Sequence, residues 1–324
     1  MDDITALRQM GAVRPGSVTL FKPEPAIRLR PAGFTGTPFP KSEPMAANPP
    51  FGAYIDYVLP HNVTGPVTFT ILDARGRVVR RYSSAEHVVP PNPAKLDYAP
   101  IWAKRPMVPA ATPGMHRLVW DLHYAAPRAP GAAGPEKPGV WAPPGRYTVV
   151  LTVDGRTYRQ PLRVEPDPNV KVPQAALVSQ FHLARKIERT QFRAAQAEAV
   201  AVKLLDALAT RLKQGGAARG AIAALYARAR NLSGERPFPQ HHIGFGGAPP
   251  RNLASLVMLS QDLLHLQRAV DGADAAPSPD ARTGYAIVSR QLDATLAAWR
   301  SIEQVDLPQL NARLKAAGEA PVAD

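Results

Sequence analysis

Few residues in this chain are of the types that do chemistry at close quarters, and their spacing limits what they do. His241 and His242 form the one adjacent histidine pair. Imidazoles ligate metals and carry protons. Neighbouring side chains diverge unless a loop folds them together, and the nearest acidic residue in sequence is Glu235. A metal would need a third ligand from elsewhere. The pair is a candidate ligand-binding element, with a structural or solvent-exposed role as its alternative, and no metal site is assigned. His116 and His123 flank Trp120-Asp121. Asp121 and His123 are two residues apart, so on a strand both point to one face. A pair alone does not make an acid–base site.

Flat aromatic rings stack on sugars, and Trp102 and Trp141 lie in Pro-rich loops. Both are candidate ligand-binding residues. Trp120 and Tyr147 fall on strand patterns and read as core. A glycosidase needs two carboxyl groups across a cleft. The acidic residues of the strand region, Asp73, Asp97 and Asp154, sit mostly at turns. Gly244-Phe245-Gly246-Gly247-Ala248-Pro249 breaks the dinucleotide pattern at its last glycine. There is no nucleophile elbow, Walker A loop, zinc-protease helix or EF-hand loop. No catalytic residue and no cofactor is assigned.

The elements that must position these residues divide the chain. Of 36 prolines, most crowd the first half, which rules out long helices there. Residues 1–50 read as an extended, Pro-rich strap, with Leu20-Phe21 and the alternating Ile27 and Leu29 free to lie along another surface. Residues 51–168 read as strands. Val67, Phe69 and Ile71 alternate with threonines as a half-buried strand requires. Asp73-Ala74-Arg75-Gly76 and Asp154-Gly155 are hairpin turns. Pro161 marks an edge position. About seven short strands fit a β-sandwich.

Residues 172–324 change to a helical period. No proline or glycine interrupts 174–214. Leu177, Phe181, Ala184, Ile187, Ala195, Ala199, Val202, Leu205, Leu208 and Leu212 recur mostly at intervals of three and four, with one wider gap. That predicts an amphipathic helix of about 40 residues, about 60 Å long, stopped at Gly215-Gly216. Shorter helices follow, one N-capped at Asn252, one at Ser278 with Pro279 behind it, and a last one starting at Asp306. The fold expected is α+β and multi-domain: a sandwich followed by an antiparallel helical bundle.

The net charge is +13, and residues 101–250 carry 21 Lys and Arg against 9 Asp and Glu. The basic residues are dispersed and form no run of four or more, which argues against nucleic acid as a partner. Cysteine is absent, which excludes disulfides, thiol nucleophiles and Cys-ligated metals but leaves the compartment open. No apolar run is long enough to span a bilayer, and Met1-Asp2-Asp3-Ile4 opens no secretory leader.

Gly114-Met115-His116, Trp120-Asp121 and Pro143-Pro144-Gly145-Arg146-Tyr147, followed by the Asp154-Gly155 hairpin, resemble the G-x-H, W-D, P-x-G-x-Y run of FlgD-type immunoglobulin-like domains. Asp73-Ala74-Arg75-Gly76 echoes their turn. The wider chain is similar to the C-terminal region of bacterial BNR-repeat, sortilin-like propeller proteins, often labelled glycosyl hydrolases. Asp2 to Gln9, Leu20 to Pro25, Asn48 to Ala53 and Asp306 to Asn311 carry that resemblance. It implies that the propeller bearing any hydrolase site lies outside this chain, so no catalytic residue transfers to it. It further implies a non-catalytic accessory module that meets a propeller or another protein, in a family often exported, periplasmic or secreted. A carbohydrate-binding module, or a glycoside hydrolase in its own right, are the alternatives.

Overall fold

The computed structural model describes residues 3–30, 43, 49–103, 106–234 and 252–322. The protein is mixed α+β. It forms two compact units, the first made of residues 1–181 with 273–276, the second of 182–272 with 277–324.

The first unit is mostly β. After a single helical turn, α1 (Thr5–Arg8), the strap supplies β1 (Thr19–Leu20) and β2 (Ala26–Arg28). Then come β3 (Ala53–Leu59), β4 (Thr68–Asp73), β5 (Val78–Ser83), β6 (Gly114–Trp120), β7 (His123–Ala125), β8 (Pro138–Trp141), β9 (Gly145–Val153) and β10 (Arg156–Pro166). One sheet has the order β1-β3-β6, a second β2-β10-β9-β4-β5, and β7 pairs with β8. Among the described residues only β2 runs parallel to its neighbour, β10. The Asp-Gly signal between β9 and β10 is met by positive φ at both Asp154 (47°) and Gly155 (76°), the geometry of a type I′ hairpin turn. Pro161 sits where β10 pairs with β9 alone, since β2 reaches only Val164–Pro166.

Alternation decides what the sheets bury. Ile55, Tyr57 and Leu59 of β3 turn inward, as do Phe69, Ile71, Val149 and Leu151 of β4 and β9. Edge-to-face aromatic pairs join the sheets: Tyr57 on Phe69 at 5.0 Å and Trp120 on Tyr147 at 5.1 Å between ring centroids. The strap is more than an extended tail, because it adds a strand to each of the two larger sheets. Its alternation also runs opposite to the apolar pattern. Ala26 and Arg28 are buried, whereas Ile27 and Leu29 face outward.

The second unit is helical. It holds most of α2 (Gln174–Gln214), then α3 (Arg219–Ser233), α4 (Leu256–Asp271), α5 (Pro279–Ser301) and α6 (Leu307–Ala316). The stripe on α2 starts as expected, with Leu177, Ala184 and Ile187 buried, and differs farther along. Ala194, Ala201, Leu204 and Leu208 are buried, while Ala195, Ala199 and Val202 are exposed. Alanines on both sides of the true stripe leave the period ambiguous by one residue. Ser255, not Asn252, caps α4, its Oγ accepting from the Met258 N–H; Asn252 instead forms an Asx turn with Ala254. Ser278 caps α5 as expected. α6 begins just after Asp306, with Pro308 in its first turn, as expected, but Asp306 is itself helical and caps nothing, because α5 continues into α6 through a π turn, Ile302–Asp306.

Candidate functional site

The polar cluster richest in chemistry forms where β6 ends. Trp120 is buried, and its indole N–H donates to the His123 carbonyl at 2.9 Å. Between them Leu122 takes φ 57°. A left-handed leucine costs roughly 1–2 kcal/mol. Burial of its side chain and a 2.7 Å bond from the Ala142 N–H to its carbonyl hold it there. The corner turns Asp121 and His123 back on each other. Asp121 Oδ1 accepts from the His123 backbone N–H at 3.1 Å. His123 Nδ1 lies 2.6 Å from the Asp121 carbonyl, which can only accept, so Nδ1 carries a proton and the neutral ring keeps its lone pair at Nε2.

Arg80 closes one side. It stands opposite Ile71, and Tyr82 opposite Phe69, in the β4–β5 ladder. Directly opposed residues share a face, so both point toward the buried side. The Arg80 side chain is 5% exposed, and its Nη2 lies 3.8 Å from Asp121 Oδ2. Its Nε and Nη1 have no hydrogen-bond partner among the described residues. Burial pushes the Asp121 carboxyl up, but hydrogen bonding to His123 and the Arg80 charge outweigh it, and the group titrates below its ordinary value. Burial, then the Asp121 charge, push the Tyr82 phenol up.

Trp141 closes the other side. It pairs with His123 across β7 and β8, with the rings 4.1 Å apart. The Arg30 guanidinium lies 4.9 Å and that of Arg28 5.8 Å from the Trp141 ring. Asp274 Oδ1 binds both cations, Arg28 at 3.2 Å and the Nε–H of Arg30 more closely. The result is a line of alternating charges and rings: Arg80, Asp121, His123, Trp141, Arg30, Asp274, Arg28. A histidine with a free Nε2 can accept a proton or a hydrogen bond. The rest of the line holds that ring in place.

A comparison with protein-family models, curated proteins and solved structures finds no match. The reading of the site therefore rests on its own geometry.

Of the residues singled out in sequence, the structure brings Trp141 together with Asp121 and His123. Its ring contacts are His123 and the two arginines, which compete with a sugar for it. Trp102 ends a 3₁₀ turn, Pro100–Trp102, and is 36% exposed. His116 rests against Tyr57 and the Thr112 carbonyl. His241 and His242 lie outside the described residues. Sequence reasoning missed Arg28, Arg30, Asp274 and the inward turn of Arg80. For Arg80 a signal existed, since it alternates with Tyr82. Among the described residues no three His, Asp or Glu side chains group as a metal site requires, and no helix is long and apolar enough to cross a membrane.

A second feature lies on the strap. Asp3, Glu24, Ile27, Gly52 and Tyr54 line a cavity of about 350 Å³. Asp56 and Arg117 form a two-pronged pair beside it, at 2.7 and 2.9 Å. Arg117 also donates to the Asp3 carbonyl and lies over the Tyr54 ring, which fixes the cavity wall. Gly52 has φ +141°, and a Cβ there would sit 2.3 Å from the Trp120 carbonyl oxygen. Ile27 of this lining is 43% exposed, and Ile4, Leu7 and Phe51, close in sequence to the lining residues Asp3 and Gly52, are 49%, 58% and 54% exposed.

Proposed function

We propose that this chain is a non-catalytic interaction module, the C-terminal accessory part of a BNR-repeat, sortilin-like propeller protein. In this reading the two larger sheets are a FlgD-type immunoglobulin-like sandwich, the helices are an antiparallel bundle, and the strap is the docking face for the propeller. The observation that carries it is the exposure of Ile27 in the lining of an acid-lined cavity, and of Ile4, Leu7 and Phe51 close in sequence to its lining residues Asp3 and Gly52. Single exposed apolar residues are ordinary, but several gathered on one face mark an interaction surface. Their burial against a partner contributes about 25 cal/mol per Å² before the costs of association are subtracted.

The test uses a propeller domain of that type, purified separately and titrated with this chain. Binding is expected, weakened about tenfold or more by Leu7→Asp with Ile27→Asp, a loss of at least about 1.4 kcal/mol. No association, or association indifferent to both changes, refutes the reading.

The exposure of Trp102 favours a second reading, a carbohydrate-binding module. Co-sedimentation with insoluble polysaccharides, lost on Trp102→Ala, would establish it. A hydrolase would draw on Asp121 and His123; turnover of aryl glycosides abolished by His123→Ala would replace both readings.

A further inference from the structure

The second unit carries a groove that the strap reading does not use. Pro308 has no N–H, so it cannot donate to the Gln304 carbonyl as an α-helix requires. The chain answers with the π turn, in which the Leu307 N–H reaches back to Ile302. Such turns inside helices are frequent at functional sites. Leu307, Leu310 and Leu314 remain buried, and Asp306 reaches Arg228 of α3 at 2.5 Å.

Two matching stripes line a cavity of about 230 Å³. On α3 they are Ala221, Ala224, Leu225 and Arg228; on the π turn and α6, Asp306, Gln309, Leu310 and Arg313. Each set has the i, i+3, i+4, i+7 spacing of one helix face. Because Asp306 meets Arg228, the stripes run in opposite directions. Leu225 and Leu310 are buried and form the floor; Ala224, Arg228, Gln309 and Arg313 are exposed along the rim. The alanines hold the floor open. A cavity of about 150 Å³ already accepts a benzene ring, so this one has room for large apolar side chains. The Arg228–Asp306 pair closes one end. At the other, the Arg313 and Gln309 side chains have no hydrogen-bond or ion-pair partner among the described residues.

We propose that this groove is a docking site for an acidic amphipathic helix of a partner protein. Its apolar side chains at helical spacing fill the trough over Leu225 and Leu310, and a carboxylate meets Arg313. The rim decides the sign, with two arginines against one aspartate and the aspartate already paired. A basic helix would set like charge against Arg313, and a neutral one would leave it without a counter-ion. An open trough between antiparallel helices accepts a third helix by ridge-into-groove packing.

The test is selection from a displayed library of helical peptides, randomised on one face, against the full chain. Selected sequences are expected to pair Leu, Ile or Met at helical spacing with Asp or Glu. They should bind about tenfold or more weakly to Arg313→Glu and to Ala224→Trp, with thermal transitions unchanged, while Arg313→Lys keeps most of the affinity. Strap variants should leave this binding intact, which separates it from propeller docking. Absence of binders, enrichment of basic or neutral sequences, or binders indifferent to both substitutions would overturn the proposal.

Discussion

Single residues here carry charges and hydroxyls into places where their environment decides their state. Tyr57 is fully buried, and its hydroxyl donates to the Ala110 carbonyl at 2.8 Å. Burial pushes the phenol from 10.0 up to about 12, against a smaller lowering by that hydrogen bond. A folded value above the unfolded one means the contribution to stability is complete below pH 10 and is lost as pH rises toward 12. The full difference is about 3 kcal/mol. Chemical denaturation from pH 9 to 12 should show this decline, and Tyr57→Phe should flatten it; an unchanged slope would mean that other groups govern alkaline unfolding. The same scale shows why the Arg80 cluster was only half legible. Asp121 and His123 stand two apart in sequence, so their closeness was readable, but a left-handed corner at Leu122 brings them together and not the strand alternation that was expected. Arg28, Arg30 and Asp274 meet across more than two hundred residues, and no local pattern announces such a meeting. Arg28 was hidden further by Ile27 and Leu29, whose apolarity reads as the inward face of β2.

At the scale of elements, local signals served best where one principle acted alone. The Val67, Phe69, Ile71 alternation lies on the buried side of β4, and the Asp154-Gly155 turn has the geometry its residues demand. Ser278 caps α5 by accepting from the Ala281 N–H at 3.1 Å. Ser278→Ala should cost about 1 kcal/mol, visible as a lower thermal midpoint; no shift would mean that packing alone holds the helix end. Where two principles competed, the reading strayed. Along α2 the alanines at 194 and 195, and at 199 and 201, offered two stripes of equal apolarity, and packing chose the one carrying Leu204 and Leu208. Near the C-terminus Pro308 looked like a helix start, as proline often is. α6 does begin beside it, but the chain runs on from α5 through the π turn, so the proline opens no separate helix.

Across the whole molecule, charge is the property most open to misreading. The net charge of +13 suggests polyanion binding. Yet many of the basic groups are already paired: Arg77 with Asp73, Arg117 with Asp56, Arg185 with Glu188, Arg193 with Asp293 and Arg211 with Glu319. Duplex DNA should therefore bind no tighter than the non-specific range of about 10⁻⁴–10⁻⁶ M at physiological salt. A salt-resistant complex in an anisotropy titration would refute this.

The π turn holds one residue more than an α turn, and by widening to take it in it lets α6 continue close to the phase of α5. One further residue inserted at the end of α5, with no second widened turn to absorb it, would rotate everything after it by about 100°. Leu310 and Leu314 would swing toward water, and Asp306 would leave Arg228. The segment acts as a mechanical spacer whose length, more than its composition, must be preserved for the C-terminal helix to keep its partners.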